Sequence, residues 1–424
     1  MLDIELFRKN AEVIKFSQKH RGLPEELVDE VCRLDEKWRE YLQEAEKLKH
    51  ERNIVSEKIN QLKKSGKKAD AEIKRTKELV ETLKKVDEEA NTAKMMRDKV
   101  RMELPNIVDD SVPVGDATKN KTIKTVGKIP KFKFKVQDHF DLGKNLGIID
   151  TERAAKVAGA RFYYLKGDLV RLNFAVISFA LDLLKKRGFT LIQPPFMLRR
   201  DALEGAVTLG AFEEMIYKIQ DEDLYLIGTA EHALNAYYKD EVLSEKELPV
   251  RFAGISTSFR KEAGTASKDL KGIFRVHQFE KVEQFVFCKP ENAWKEFDFL
   301  LKNLEDIFKA LEIPYRLVIL ATGDMGRVPV KTIDLEGWFP SQNTYRELAS
   351  CSNCTDFQAR RSNIRYATKD GNRFVNTLNN TAIATERAMA CILENFQQKD
   401  GSIKIPKALW KYAGFKEIKA PKPL

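Results

Sequence analysis

The densest run of residues able to do chemistry lies between Phe259 and Glu283 of this 424-residue chain. It reads Phe259-Arg260-Lys261-Glu262-Ala263-Gly264-Thr265 and, after a short loop, Phe274-Arg275-Val276-His277-Gln278-Phe279-Glu280-Lys281-Val282-Glu283. Two β-like stretches flank a polar loop that carries Gly264 and Gly272. Side chains alternate along a strand, so Arg275, His277, Phe279, Lys281 and Glu283 are expected on one face. That row suits a nucleotide. A guanidinium grips phosphate as a fork, an aromatic ring stacks on a base, and a carboxylate takes an amine or a hydroxyl. A surface hairpin with charged cross-strand pairs would explain the alternation, but not Arg260 and Glu262 just before the loop.

A second cluster is Tyr345-Arg346-Glu347-Leu348-Ala349-Ser350-Cys351-Ser352-Asn353-Cys354, followed by Asp356-Phe357-Gln358-Ala359-Arg360-Arg361. Cys351-x-x-Cys354 has no second Cys-x-x-Cys and no histidine at ligand spacing, which argues against zinc. Glu347 with Ser350 better suits an oxygen-ligated ion such as Mg²⁺ bridging phosphates. A third cluster, Asn376 to Arg387, reads as polar residues at a strand end and a helix start, with Arg387 about two turns into the helix. By itself it could be an N-cap and a solvent arginine. Gly228-Thr229-Ala230-Glu231-His232 is shorter still, and Thr229 could simply cap a helix beginning near Ala230.

These clusters need elements to hold them. The strand-like runs are Thr190–Gln193, Leu224–Ile227, Arg251–Phe259, Phe274–Phe287, Tyr315–Leu320 and Thr332–Trp338, with Phe374–Leu378 running into a helix at Asn380–Gln397. Amphipathic helices are expected at Leu169–Arg187 and Ala293–Glu312. Successive strands without intervening helices predict an antiparallel sheet flanked by helices, hence an α+β domain. Upstream, Val31, Leu34, Trp38, Tyr41, Ala45, Leu48, Val55, Ile59 and Leu62 form a heptad seam broken only by Arg52. A second seam runs through Leu79, Leu83, Val86, Ala90, Ala93, Val100 and Leu104, with Arg97 as its odd member, and Pro105 ends it. The pattern predicts an antiparallel helical hairpin over 31–104, roughly 45–50 Å long, with its tip at Lys63–Lys68; a dimerising coiled coil would share the pattern. The expected domains are 1–105 with the arm, a linker at 106–140, a catalytic domain at 141–398 and a basic tail at 399–424.

Composition narrows the classes. Lys and Arg number 74 against 64 Asp and Glu, a formal charge of +10 that favours a polyanionic partner. No apolar run approaches the length of a membrane span, and MLDIELFRKN lacks the apolar core of a secretory signal. Five cysteines point to a reducing compartment. Neither a P-loop nor a Rossmann fingerprint is present, so ATP would have to be held in another way.

Taken in order, the Phe-Arg-x-Glu-Ala-Gly and Phe-Arg-Val-His-Gln-Phe-Glu-Lys-Val-Glu strings and Cys-Ser-Asn-Cys-x-Asp-Phe-Gln-Ala-Arg-Arg resemble seryl-tRNA synthetases, class II aminoacyl-tRNA synthetases, of the archaeal and eukaryotic cytosolic style. The resemblance spans nearly the whole chain. It implies an N-terminal tRNA-binding helical arm joined to a class II catalytic domain. Gly188-Phe189 to Pro194-Pro195 resembles the dimer-interface element. The resemblance assigns ATP to Arg260, Lys261, Glu262, Arg275, Val276, Phe279, Glu347, Leu348, Ala349, Ser350 and Arg387, with Arg260 and Arg387 as the catalytic pair. It assigns serine to Thr229, Ala230, Glu231, Arg260, Glu283, Asn379 and Thr381, and Mg²⁺ to Glu347 and Ser350. The implied partners are L-serine, tRNA(Ser), with tRNA(Sec) as a further candidate, and a second copy in a homodimer; the implied setting is cytoplasmic and off the membrane. Two residues depart from the family pattern: Ala349 replaces a serine, and Glu386 precedes Arg387, where it is expected to point away. The loop from Ser267 to Gly272 carries lysines where arginines are common. A non-catalytic RNA-binding paralogue and a carrier-protein ligase without a tRNA arm are the competing readings.

Overall fold

The computed structural model describes residues 1–208, 215–262 and 271–419, so Gly264 and Ser267–Leu270 of the expected loop lie outside the described residues. The chain forms two compact units, Met1–Pro105 and Asn106–Leu424.

In the first unit, α1 (Ile4–His20) is capped by the Asp3 carboxylate, which accepts from the Glu5 amide at 3.0 Å. The hairpin follows as α2 (Glu26–Lys64) and α3 (Asp70–Glu103). Val31, Leu34 and Ala45 are buried on α2, as are Leu79, Leu83, Val86, Ala90 and Ala93 on α3. The seam is therefore satisfied within one chain. At 39 residues α2 is about 58 Å long at the helical rise, longer than the seam suggested because it begins before Val31. The two helices meet at a turn over residues 65–69, where Gly66 takes the left-handed φ of +71°.

Arg97 breaks the apolar seam because it has a partner on the facing helix. Its Nη1 donates to Asp35 Oδ1 at 2.7 Å, and its guanidinium lies 4.7 Å from the centre of the Trp38 ring. Arg8 of α1 donates to the other Asp35 oxygen at 2.8 Å. One buried carboxylate thus ties three helices together at the root of the arm. Asp35→Ala would remove the buried carboxylate shared by Arg8 and Arg97 and leave Arg97 only the partly exposed Asp98, at 2.9 Å. It is expected to cost about 3 kcal/mol, seen as an earlier urea midpoint of the isolated 1–105 unit by far-ultraviolet circular dichroism.

The second unit is built on an eight-stranded sheet. In chain order its strands are β1 (Lys121–Val126), β2 (Thr190–Ile192), β3 (Val250–Phe259), β4 (Gln278–Cys288), β5 (Tyr315–Ile319), β6 (Lys331–Phe339), β7 (Thr344–Thr355) and β8 (Asn376–Ala384). Their spatial order is β1-β5-β6-β7-β8-β4-β3-β2. All pairs are antiparallel except β2 against β3, which is parallel. Along β4, Val282 and Val286 join a core with α4 (Asp168–Lys186), α6 (Ala293–Ala310) and α7 (Thr385–Asn395), which supply Leu172, Val176, Leu300, Leu304 and Met389. Phe285 and Phe287 pack on the other face with Ala230 and Leu234 of α5 (Ala230–Ala236).

Several expectations are corrected. The 106–140 segment, expected as a linker with a short strand or two, carries β1, which pairs with β5 at the sheet edge. The segment from Lys399 is not a loose tail: Ile403–Lys404 and Glu417–Ile418 form a ribbon, and Ile403, Ile405, Leu409 and Ile418 enter the main core. Residues 420–424 lie outside the described set. Phe274–His277 precede β4 rather than belonging to it. Gly272, with φ +79°, bends the chain there; a Cβ would fall 2.2 Å from His139 Nε2. Asn379 and Thr381 lie within β8, not at a helix start, and Arg387 sits in the first turn of α7. Strand β8 is buried throughout, and its amides and hydroxyls are paired. Thr377 Oγ1 donates to Gln358 Oε1 at 2.6 Å, and Asn380 Nδ2 donates to the Ser350 carbonyl at 2.9 Å. Polar side chains that would read as a cap are thereby tolerated in a central strand.

Candidate active site

The nucleotide-gripping row and the three other clusters all contribute to one cavity of about 190 Å³. Its wall contains Glu231, Arg260, Glu262, Arg275, Val276, Phe279, Glu283, Glu347, Leu348, Ala349, Ser350, Asn379, Thr381 and Arg387. Phe274, Lys281, Ala384 and Glu386 complete it and were not assigned to it in advance.

Register explains the convergence. Glu283 on β4 pairs with Thr381 on β8 and with Gly254 on β3. Gly254 has no side chain to hold α5 away; a Cβ there would lie 2.8 Å from Leu234 Cδ1 and 3.1 Å from Ala230 Cβ. The start of α5 therefore presses onto the sheet and brings Glu231 to the cavity. Two bulges flank this point. One places Leu348 as an extra residue of β7 against β6, and one places Ala382 as an extra residue of β8 against β4. The second shifts the alternation so that Ala384 shares the cavity with Asn379 and Thr381.

The cationic end is held as follows. Arg260 follows β3, and its Nε donates to the Gly228 carbonyl at 3.1 Å. Its guanidinium lies 5.4 Å from the Phe279 ring centre. Burial, and then the nearby Arg387 charge, lower its pKa. Arg387 donates to Glu347 Oε1 at 2.8 Å. Burial opposes its charge, but Glu347 more than offsets this and raises its pKa. Arg387 in turn holds Glu347 below the usual carboxylate range. Phe274 lies between two guanidiniums, 4.6 Å from Arg346 and 5.3 Å from Arg387. Glu262, at a left-handed φ of +49°, meets Arg275 at 3.3 Å.

At the other end, Thr229 caps α5, accepting from the Glu231 amide at 3.3 Å, and it also meets Lys281 Nζ at 3.0 Å. Glu231 Oε1 accepts from Gln358 Nε2 at 2.8 Å and from Asn379 Nδ2 at 3.0 Å. Burial, with Glu283 nearby, pushes the Glu231 pKa up to about 7. Burial likewise raises Glu283 and pushes His232 down to about 3, leaving it neutral. Three expected site residues do not line the cavity. Thr229 touches it through Lys281 and Glu283, Ala230 packs against Gly254, and Lys261 lies 5.9 Å from the Tyr217 ring. His277, expected in the row, instead donates from Nδ1 to the Arg260 carbonyl at 2.9 Å.

Glu347 and Ser350 lie where an oxygen-ligated cation could bridge phosphates. Asp334, opposite Ser350 in register, is buried with Oδ1 lacking a hydrogen-bond partner, and burial beside Glu347 raises its pKa well above the usual value. Among the described residues no cluster of three or more His, Cys, Asp or Glu side chains could hold a metal on its own. Cys351 and Cys354 are buried, and burial raises both thiols well above their ordinary range, against a thiolate zinc or redox role.

Neither departure from the family pattern disables the cavity. Ala349 lines it, and with Leu335, its partner in register, also belongs to the main core. Glu386 borders it, but its carboxylate is engaged by the Tyr163 hydroxyl and by the Glu280 amide, at 3.1 and 3.0 Å to its two oxygens. Arg387 keeps Glu347 as its partner.

Residues 1–108 match the seryl-tRNA synthetase N-terminal domain, and residues 215–396 match the class II tRNA synthetase core domain for G, H, P, S and T. A serine–tRNA ligase of Nitrosopumilus maritimus is 47% identical over 98% of this chain and 99% of its own. One of Thermococcus sibiricus is 48% identical over 99% and 97%. The crystal structure of seryl-tRNA synthetase from Pyrococcus horikoshii complexed with ATP superposes with a TM-score of 0.96 at 46% identity over all of both chains. The cytoplasmic serine–tRNA ligase of Naegleria fowleri in complex with AMP gives 0.90 at 38%, over 100% of this chain and 99% of that one. With both its N-terminal domain and its core domain matched and its relatives covered almost from end to end, this chain belongs to the seryl-tRNA synthetase family.

Proposed function

We propose that the cavity holds ATP and L-serine together, and that Arg260 and Arg387 act on the phosphates while Glu231 and Glu283 read the amino acid. The reaction is that of a serine–tRNA ligase. In its first step a serine carboxylate oxygen attacks the α-phosphorus, the α–β bridging bond breaks, and pyrophosphate leaves as seryl-adenylate forms. No side-chain nucleophile is required. Positioning and charge neutralisation carry the step. Arg260 sits by the α-phosphate and Arg387 by the chain's far end, Phe279 offers the adenine a ring face, and Glu262 meets its edge. Mg²⁺ would be held by Glu347 and Ser350, with Asp334 behind them, and supplies charge neutralisation on the phosphates when bound. In the second step a ribose hydroxyl of the 3′-terminal adenosine of tRNA(Ser) attacks the adenylate carbonyl and AMP leaves.

Selection of serine over alanine rests on polar groups that an alanine would leave unpaired: Glu283 and Thr381, whose Oγ1 approaches Glu283 Oε2 at 3.5 Å. The basic arm takes the tRNA outside its acceptor stem. Parallel edge strand β2, with Leu191 40% exposed, offers the face for a second copy in a homodimer. Among the described residues no helix is long and apolar enough to cross a membrane.

The observation that carries this reading is the single cavity shared by Arg260, Glu283, Glu347 and Arg387. ATP–pyrophosphate exchange run with serine, threonine, alanine and glycine tests it. Exchange is expected with serine far above the others; its absence with every amino acid would instead support a non-catalytic paralogue.

A pH dependence follows from Glu231. It faces Glu283 and Lys281 from β4, Arg260, Gln358 and Cys354. With its pKa raised to about 7, it is largely neutral below that value and ionised above it. Serine binding without ATP should therefore strengthen between about pH 6 and pH 8. Titration calorimetry on the native chain and on Glu231→Gln checks this, and the variant should lose the dependence. For stability the sign is opposite: a raised folded-state pKa stabilises below the unfolded value of about 4.5, and that contribution is lost as pH rises through about 7.

A further inference from the structure

The amino-acid end of the cavity holds a cation that the roles above leave unexplained. Lys281 stands on β4 two residues before Glu283, and both side chains face the cavity. Only 7% of Lys281 is exposed. Its Nζ lies 2.5 Å from Glu283 Oε2 and donates to Thr229 Oγ1 at 3.0 Å. The hydroxyls of Thr229 and Thr381 approach the same Glu283 oxygen, each at 3.5 Å. Of the groups meeting there, Lys281 alone brings a full positive charge.

A buried ammonium next to the place of a substrate ammonium needs a reason, because like charges repel and desolvation is costly. Charge balance gives one. The amino-acid end contains two carboxylates, Glu231 and Glu283, whereas the substrate brings one ammonium. Among the described residues, the hydrogen bonds to the Glu231 carboxylate come from the neutral amides of Gln358 and Asn379. Glu283 is held by the lysine. We infer that Lys281 is a positioning residue that divides the labour of the two carboxylates: by pairing with Glu283 it keeps that group an ionised hydrogen-bond acceptor for the substrate hydroxyl and leaves Glu231 to the substrate ammonium. Without the lysine, Glu283 would be buried among hydroxyls and would take up a proton, and a protonated carboxyl presents a donor in place of one acceptor. Burial already raises its pKa, and Lys281 is the largest influence opposing that rise.

The inference rests on the serine-pocket reading above, and a double-mutant cycle separates the two. Serine-dependent ATP–pyrophosphate exchange is measured for the full chain and for Lys281→Met, Glu283→Gln, the double variant and Lys281→Arg. Lys281→Met is expected to raise the KM for serine about tenfold or more, with the KM for ATP changed less than about twofold. The double variant should be no worse than Glu283→Gln alone, since the lysine then has nothing to hold. Lys281→Arg keeps the charge and should recover most of the serine affinity; failure of Lys281→Arg to do so would count against a charge-pairing role even if Lys281→Met folded poorly. Losses that multiply in the double variant, or an ATP KM that rises with the serine KM, would overturn the inference. Unimpaired serine use in Glu283→Gln would overturn the pocket assignment itself. Normal Lys281→Met beside a damaged Glu283→Gln would overturn only the role of the lysine.

Discussion

Arg260→Ala is expected to lower serine-dependent ATP–pyrophosphate exchange by about 10³-fold, while tRNA affinity measured by filter binding changes less than about twofold. The guanidinium is fixed before any substrate arrives, by the Gly228 carbonyl at one nitrogen and the Phe279 ring beneath it. It also shares the cavity with Arg387, and the mutual repulsion lowers its pKa after burial has done so. A pair of cations held close together awaits an anion, and charge developing on a pentavalent phosphorus is stabilised most by donors that need not move. Removal of one donor therefore falls on the adenylation step. The arm belongs to the separate unit Met1–Pro105 and should not sense the change. Lost tRNA binding with intact exchange would show that Arg260 had been misplaced.

Shortening the arm should do the reverse. Removing residues 52–79 and closing the helices with a glycine turn is expected to reduce serylation of tRNA(Ser) by about 100-fold or more, leaving exchange within about twofold. The cut falls beyond the root held by Asp35, Arg8 and Arg97, so the remaining hairpin keeps its anchor. It removes Lys58, Lys63, Lys64, Lys67 and Lys68 together with the turn. If contacts are chiefly to phosphate, the native chain's charging should weaken steeply with salt, and the shortened chain should show a shallower slope. Undiminished charging by the shortened chain would remove the main argument against a carrier-protein ligase.

Patterns with a period were legible in the amino-acid order. The two heptad seams became α2 and α3, and the alternation that set Phe279, Lys281 and Glu283 on one face holds in β4. Where periodicity was masked, the reading slipped. Strand β7 was left without an element because Ser350, Ser352 and Asn353 are small polar residues that no strand template selects, although half of the strand is buried. Strand β8 was cut short for the same reason, and that displaced Arg387 from the first turn of its helix. Glu386 was expected to turn away from Arg387; it is engaged elsewhere, yet it still borders the cavity, and one of its partners, the Glu280 amide, lies at the start of β4. Lys281 appeared in the alternating row but received no role, since spacing alone does not reveal which of two carboxylates a lysine will meet.

The absent side chain at Gly254 has a practical consequence for anyone who would alter which amino acid is accepted. Helix α5 and strand β3 meet there almost skin to skin, with Leu234 Cδ1 and Ala230 Cβ occupying the space a side chain at 254 would need. Adding even a methyl at Gly254 would pry the helix outward. Room for a bulkier substrate has to be sought along the opposite wall, at Asn379 and Thr381, where atoms can be exchanged without moving a backbone.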